Sequence, residues 1–280
     1  MKPFHMKPFY YLFTFLCFHS LAVAKCQNGE GNNAANSSES SPALSAAASD
    51  GVKVNAIILD DTNGGDQNPI IDPANFVSPI DNPYFALTPG KVWVYKGTAE
   101  NGETERVERE VTHDTRMVLG IATTVVRDRV WKDGELEEDT FDWYAQDKDG
   151  NVWYFGEDSK EMEDGKVVST AGSWEAGVNG AKPGIIMKAN PQVGEVYRQE
   201  LLKGEAEDMG QILSLSQSIS IGLGSYKNCL QTQDWTPLEP DIVEYKFYSK
   251  EVGNVVMEKK VAGKSGQLEL IKIKNEKAAE

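Results

Sequence analysis

Apolar and polar positions alternate along most of residues 82–280, and glycine breaks the alternation at regular intervals. Gly102, Gly120, Gly134, Gly150 and Gly165 follow Asn101, Leu119, Asp133, Asp149 and Asp164, so a turn signal recurs every 14–18 residues. Asn-Gly and Asp-Gly supply the positive φ of tight hairpin turns, and a period of two with one apolar side marks a half-buried strand. Strands are predicted over 91–96, 121–131, 135–146, 151–155, around Val167 and Val168, and over 242–248, 255–261 and 267–274. The clearest is 213–221, where Ser214, Ser216, Ser218 and Ser220 share one parity and Leu213, Leu215, Ile219 and Ile221 the other. No 3.6-residue apolar period persists beyond about two turns. The pattern predicts an all-β domain of about nine to eleven strands, an antiparallel up-and-down meander that hides one face by forming a barrel or half-barrel. Residues 172–210, rich in Gly and Pro, read as a long irregular loop insertion, and such loops are often functional.

The remaining chain divides by composition. Lys2 and Lys7 precede an apolar stretch over 10–24 that ends in Ala22-Val23-Ala24, so residues 1–24 read as an export signal. The stretch is shorter than the roughly 20 residues a membrane-spanning helix needs, and no later segment is apolar enough to span. Residues 25–50 are low in complexity and rich in Asn, Ser and Ala, which predicts a disordered linker. Residues 51–81 read as a loosely packed lead-in to a β domain over 82–280. Of three cysteines, Cys17 falls in the signal. Cys26 and Cys229 can pair in an oxidising compartment, or Cys26 can carry a lipid tether, although Lys25 stands where lipoprotein signals place a small residue. The location expected is periplasmic or extracellular, with outer-membrane tethering through Cys26 as a variant.

Charge narrows the partners. The chain carries −15, and loss of Lys2 and Lys7 with the signal takes it to −17. Such a surface repels nucleic acid and anionic headgroups. Outside the signal the only histidine is His113, which leaves too little material for a histidine-based metal site or a Ser-His-Asp triad. No Walker loop, GxGxxG turn or CxxC pair is present. In 60–66, Asp61, Asn63 and Asp66 alternate as oxygen ligands for calcium, but an acidic residue stands where an EF-hand loop requires glycine. Asp147, Asp149 and Asn151 alternate too, around a hairpin turn where such residues belong anyway.

Aromatic residues concentrate in 131–155. Trp143, Tyr144, Trp153 and, further on, Trp174 are candidate contacts for a small or apolar ligand, with Asp142 and Gln146 on the Tyr144 face; cross-strand pairing of rings is the competing explanation. Asp142 and Glu157 fall on neighbouring strands and are candidates for the carboxylate pair of a hydrolase, as are the acids at 205–208.

Several stretches carry a resemblance: Asn82-Pro83-Tyr84-Phe85 with Leu87-Thr88-Pro89-Gly90, Asp142-Trp143-Tyr144-Ala145-Gln146-Asp147, and Gly150-Asn151-Val152-Trp153-Tyr154-Phe155-Gly156-Glu157. Together with 172–177 and 183–187 they resemble a group of exported, often lipoprotein-like bacterial proteins with no assigned activity. The likeness spans most of 82–250 and implies export from a bacterial cell; it brings no catalytic residues. Three readings follow: a non-catalytic envelope protein that binds a small or apolar ligand, an extracellular hydrolase, and a structural or surface-interaction protein. None requires a cofactor, calcium apart.

Overall fold

Three of the glycine turns have the geometry their residues ask for. Leu119-Gly120, Asp133-Gly134 and Asp164-Gly165 each place two successive residues at positive φ, which matches the twist of the flanking strands. The turns lock the pairs Val118↔Ile121, Lys132↔Glu135 and Glu163↔Lys166. Leu119 takes its position without an Asn or Asp side chain; it lies over Gly177, where any Cβ would come within 2.4 Å of Leu119 Cδ2.

The computed structural model of the protein describes residues 69–98, 102–261 and 266–275. The expected signal, linker and first part of the lead-in lie outside these residues, as do Cys26 and the calcium candidates Asp61, Asn63 and Asp66. Seventeen strands form one sheet: β1 (Phe76–Val77), β2 (Lys91–Thr98), β3 (Thr104–Val118), β4 (Ile121–Lys132), β5 (Glu135–Asp147), β6 (Val152–Asp158), β7 (Glu161–Glu163), β8 (Lys166–Ser169), β9 (Trp174–Glu175), β10 (Lys182–Met187), β11 (Val196–Arg198), β12 (Glu200–Leu201), β13 (Met209–Ile221), β14 (Gly224–Trp235), β15 (Val243–Ser249), β16 (Asn254–Lys260) and β17 (Gly266–Asn275). The strands outnumber the nine to eleven expected because several are two to four residues long, too short to show a period. There is no α-helix among the described residues, only a 3-10 turn at Pro73–Asn75 capped by Asp72, and hence none long and apolar enough to cross a membrane.

The sheet curls into a nearly closed barrel. Strands β2 to β6 are consecutive antiparallel neighbours, and so are β13 to β17, with β17 returning to pair β2. The 172–210 stretch joins the two groups. It is irregular between short strands, yet β10 pairs with β6 on one side and β12 on the other, and β11 pairs with β13. The stretch therefore forms part of the wall rather than a lid. The joint between β10 and β12 is thin, consisting of Lys182↔Leu201 and Pro183↔Glu200.

One end of the barrel is closed by a strap over residues 80–90. Ile80 bridges Leu87, Ala86 N–H donates to Gly253 O at 2.8 Å, and Phe85 packs edge-on against Tyr144 with ring centroids 5.3 Å apart. Asn82 anchors the strap: its Nδ2 donates to Gly150 O at 2.9 Å and Lys188 O at 3.2 Å, while its Oδ1 accepts from Tyr84 N–H at 2.9 Å. The Asn-Pro-Tyr-Phe stretch thus acts as a clamp. The opposite end, marked by Thr98, Thr104, Lys260 and Gly266, is the mouth of the barrel.

Cys229 is a free thiol, fully buried on β14, and burial raises its pKa. Ellman's reagent is expected to leave it unmodified in the folded protein and to label it in denaturant; rapid labelling of folded protein would contradict its placement.

Candidate functional site

The interior changes character along the barrel axis. Near the strap it is apolar, with Val111, Val126, Val152, Ile212 and Leu230 all buried. Toward the mouth the inward positions of the same strands carry charge. On β3, Glu105 and Arg109 share the inward parity of Val107 and Val111, and all four are buried. Alternation alone reads such a strand correctly but says nothing of how many of its inward side chains are ionisable.

Two enclosed cations organise this charged half. Arg109 Nε contacts Asp128 Oδ2 at 2.8 Å and its Nη2 contacts Glu258 Oε1 at 2.9 Å, while the guanidinium sits over the Tyr95 ring at 4.6 Å. Burial opposes the Arg109 charge, but Glu258 and Asp128 outweigh it and its pKa is raised. Lys246 Nζ contacts Asp234 Oδ2 at 2.8 Å, both side chains only 3% exposed. There, too, burial opposes the charge, and Asp234, Glu244 and Glu258 together hold the ammonium on. Buried charges survive in a low-dielectric interior only when paired in this way.

Acids outnumber these cations. Glu200, Asp208 and Glu244 complete the Lys246 side; Glu105, Glu138, Asp142 and Glu157 complete the Arg109 side, and all are buried. Desolvation pushes Glu200 up to about 8 and Glu244 up to about 7. It raises Asp208 well above the carboxylate range, reinforced by Glu200, and raises Asp142 likewise, reinforced by Asp128. A carboxyl that cannot find a cation in such a place keeps its proton. The Trp174 indole N–H lies beside Glu200 but forms no well-shaped hydrogen bond with it.

Of the residues singled out from sequence, Asp142 and Glu157 are brought together as direct cross-strand partners. Both are 1% exposed, and Tyr154 Oη donates to Asp142 Oδ1 at 2.8 Å. They lie among packed side chains, not in an open cleft. Of the acids at 205–208, Asp208 is buried and Glu205 is exposed, while Glu207 Oε1 accepts from Gly204 N–H at 2.7 Å.

The four aromatic candidates do not converge. Tyr144 stacks on Tyr154 at 5.0 Å and Trp174 meets Tyr154 edge-on at 5.2 Å, inside the barrel. Trp143 faces the other way under the Arg116 guanidinium at 4.0 Å, and Trp153 lies edge-on to Phe76 at 6.3 Å. Strand alternation separates them, as it must for neighbours in sequence. Gln146 serves the strap: its Oε1 accepts from Asp81 and Asn82 N–H, at 3.0 and 2.9 Å, and its Nε2 donates to Asp81 Oδ1 at 2.7 Å. Asp147 is likewise committed to its turn. Its Oδ1 accepts from Asn151 N–H at 2.8 Å, and its Oδ2 accepts from Asn151 Nδ2 at 2.9 Å and Trp153 Nε1 at 2.8 Å.

At the mouth lies a shallow depression open to solvent, whose lining includes Thr98, Glu105, Glu244, Glu258, Lys259 and Lys260. Sequence reading missed it because its acids come from β3 and from the β15–β16 hairpin, which are far apart in the chain. The available signal was a charged residue on the apolar parity of each strand.

No protein-family profile matches the chain, and no curated protein matches it significantly. Two solved structures share some of its shape. One is a Bacteroides fragilis protein of YmcC-like fold thought to be exported, 14% identical, with the match covering 69% of this chain and 99% of that chain at a TM-score of 0.40. The other is a Parabacteroides distasonis protein thought to be a lipoprotein, 13% identical, covering 68% and 98% of the two chains at a TM-score of 0.37. Likeness at this level carries no argument about activity.

Proposed function

We propose that this is an exported protein of a bacterial cell envelope, tethered or free, that holds a small ligand at the barrel mouth and does not transform it. The basic start, apolar run and small-residue ending of residues 1–24 support export. The observation that carries the binding reading is the depression at the mouth, with ionisable side chains at its wall. Pockets with a few convergent polar groups are where small molecules are held. The Tyr144–Tyr154–Trp174 stack then serves as packed support inside the barrel, not as the contact surface.

A hydrolase remains the second reading, because Asp142 and Glu157 are paired and the Asp142 pKa is raised. The two readings separate in one experiment. A panel of sugars, amines, amino acids and fatty acids is screened by thermal shift and by product release. Binding predicts that at least one compound raises the melting temperature with no product formed. Turnover that Asp142→Asn abolishes would replace this reading with the hydrolase; a panel with no shift at all would remove the ligand. Fractionation of bacterial cells expressing the full chain is expected to place it in the envelope, and a purely cytosolic product would refute export.

A further inference from the structure

We infer that Lys246 and Asp234 become joined by an isopeptide bond that the folded chain makes by itself, with Glu244 carrying the protons. The bond is independent of any ligand at the mouth. Strands β14 and β15 pair Asp234 with Glu244 and Thr232 with Lys246. Asp234, Glu244 and Lys246 therefore share one face of the sheet, and Lys246 lies one diagonal step from Asp234. Lys246 Nζ stands 2.8 Å from Asp234 Oδ2, and both side chains are 3% exposed. A settled ion pair of this kind is aligned by charge-assisted hydrogen bonds. Neither Asp234 oxygen has a well-shaped hydrogen bond, so the nitrogen lies against the carboxyl without settling into that geometry.

Enclosure favours condensation. Both charges have been taken out of water, at a cost that their attraction offsets only in part. An amide is neutral, so forming it removes both. Holding amine and carboxyl in contact also replaces a bimolecular encounter, which in well-oriented intramolecular reactions is equivalent to a concentration of about 10⁵ M or more.

The steps balance. Asp234, Glu244 and Glu258 hold the Lys246 ammonium on. The attacking amine therefore forms by passing one proton across the contact to Asp234, which cancels both charges. The Nζ lone pair then adds to Asp234 Cγ, and the carbonyl π pair moves onto oxygen. Burial pushes the Glu244 carboxyl up to about 7, so a proton is at hand directly opposite Asp234. Glu244 gives that proton to the departing hydroxyl and recovers one from the nitrogen as the carbonyl re-forms. One C–N bond forms, one C–O bond breaks, one water leaves, and nothing is oxidised or reduced. Glu258 also stands opposite Lys246, on β16, but Arg109 engages it at 2.9 Å, which leaves Glu244 as the carrier.

Intact-mass spectrometry of the denatured full chain tests this. The parent is expected to be lighter, by the mass of one water, than its sequence counted from the observed N-terminus, and Lys246→Arg to have its full mass. Trypsin is expected to pass over Lys246 in the parent, so that peptide 228–250 emerges whole, closed into a loop and lighter by one water. Asp234→Asn is expected to make the same amide with loss of ammonia instead, and Glu244→Gln to reduce the cross-linked fraction at least tenfold. Full mass in the parent overturns the inference, and this reading needs no variant to fold. A water loss that persists in Lys246→Arg, or that maps to another peptide such as one holding an Asp-Gly turn, overturns it as well. An unchanged cross-linked fraction in Glu244→Gln overturns the role given to that carboxyl.

Discussion

Gly97→Ala is expected to lower unfolding stability by about 3–5 kcal/mol, enough to leave much of the protein unfolded at 37 °C. Gly97 sits where β17 returns to β2. A Cβ there would lie 2.0 Å from Gln267 O and 2.9 Å from Gln267 C. The obstacle is backbone, which cannot rotate away, so the pairing that brings the two chain-distant strands together must open. Gly184 on β10 is built alike, its Cβ position lying 2.5 Å from Arg198 O and from the Gln199 carbonyl carbon. Gly222 is the control: it has ordinary backbone and nothing within 4 Å, so Gly222→Ala is expected to change stability by less than about 0.5 kcal/mol. Urea titration of the three variants measures this directly. A Gly97→Ala midpoint equal to that of Gly222→Ala would show that the β2–β17 approach is looser than described.

Stability is expected to fall as pH rises from 5 to 8.5, opposite to the usual behaviour of paired surface carboxylates. Glu200 titrates near 4.5 in the unfolded chain and about 8 when folded, because burial disfavours its charge; Glu244 moves from 4.5 to about 7 for the same leading reason. A raised folded pKa means that the folded state holds more protons. The contribution is complete below about pH 4.5 and is lost as pH passes through 7 and 8. For Glu200 alone the loss is on the order of 3 kcal/mol. Glu108, whose pKa is lowered with Lys274 and Arg106 overcoming desolvation, acts in the reverse sense, but only below about pH 4.5, outside this window. Glu200→Gln is expected to match the parent at pH 5 and to exceed it by on the order of 3 kcal/mol at pH 8.5. Melting curves across this range decide the matter, and a variant that tracks the parent at every pH would show Glu200 ionised at neutral pH.

Much of the wall was legible before any coordinates. The Asp133-Gly134 and Asp164-Gly165 turns and the two-residue period of 213–221 are local signals, and local signals report strands well. Asp142 and Glu157 were legible only as residues of neighbouring strands: the turn's register alone would set Asp142 opposite Gly156, and the bulge between Trp143 and Tyr144 brings Glu157 there instead. The short strands β9 to β12 were not, because two to six residues among Gly and Pro carry no pattern. The charged interior escaped for another reason. Arg109, Asp128, Lys246 and Asp234 occupy positions that alternation assigns to the core, and a reading based on hydropathy treats a charged residue there as noise. Their pairing depends on which strands become neighbours after the barrel curls. Gln146 looked like a ligand contact because a polar side chain in an aromatic segment invites that reading; its partners are the backbone amides of Asp81 and Asn82 and the Asp81 carboxylate in the strap, which composition does not reveal.

The slender junction between β10 and β12 has a mechanical meaning. Pro183 offers no N–H to its neighbour, and opposite it stands Glu200, the same carboxyl whose ionisation strains the enclosed charge. The chain has therefore put a seam of two residue pairs beside a carboxyl that resists ionisation. Mild base is expected to loosen this barrel first along that line.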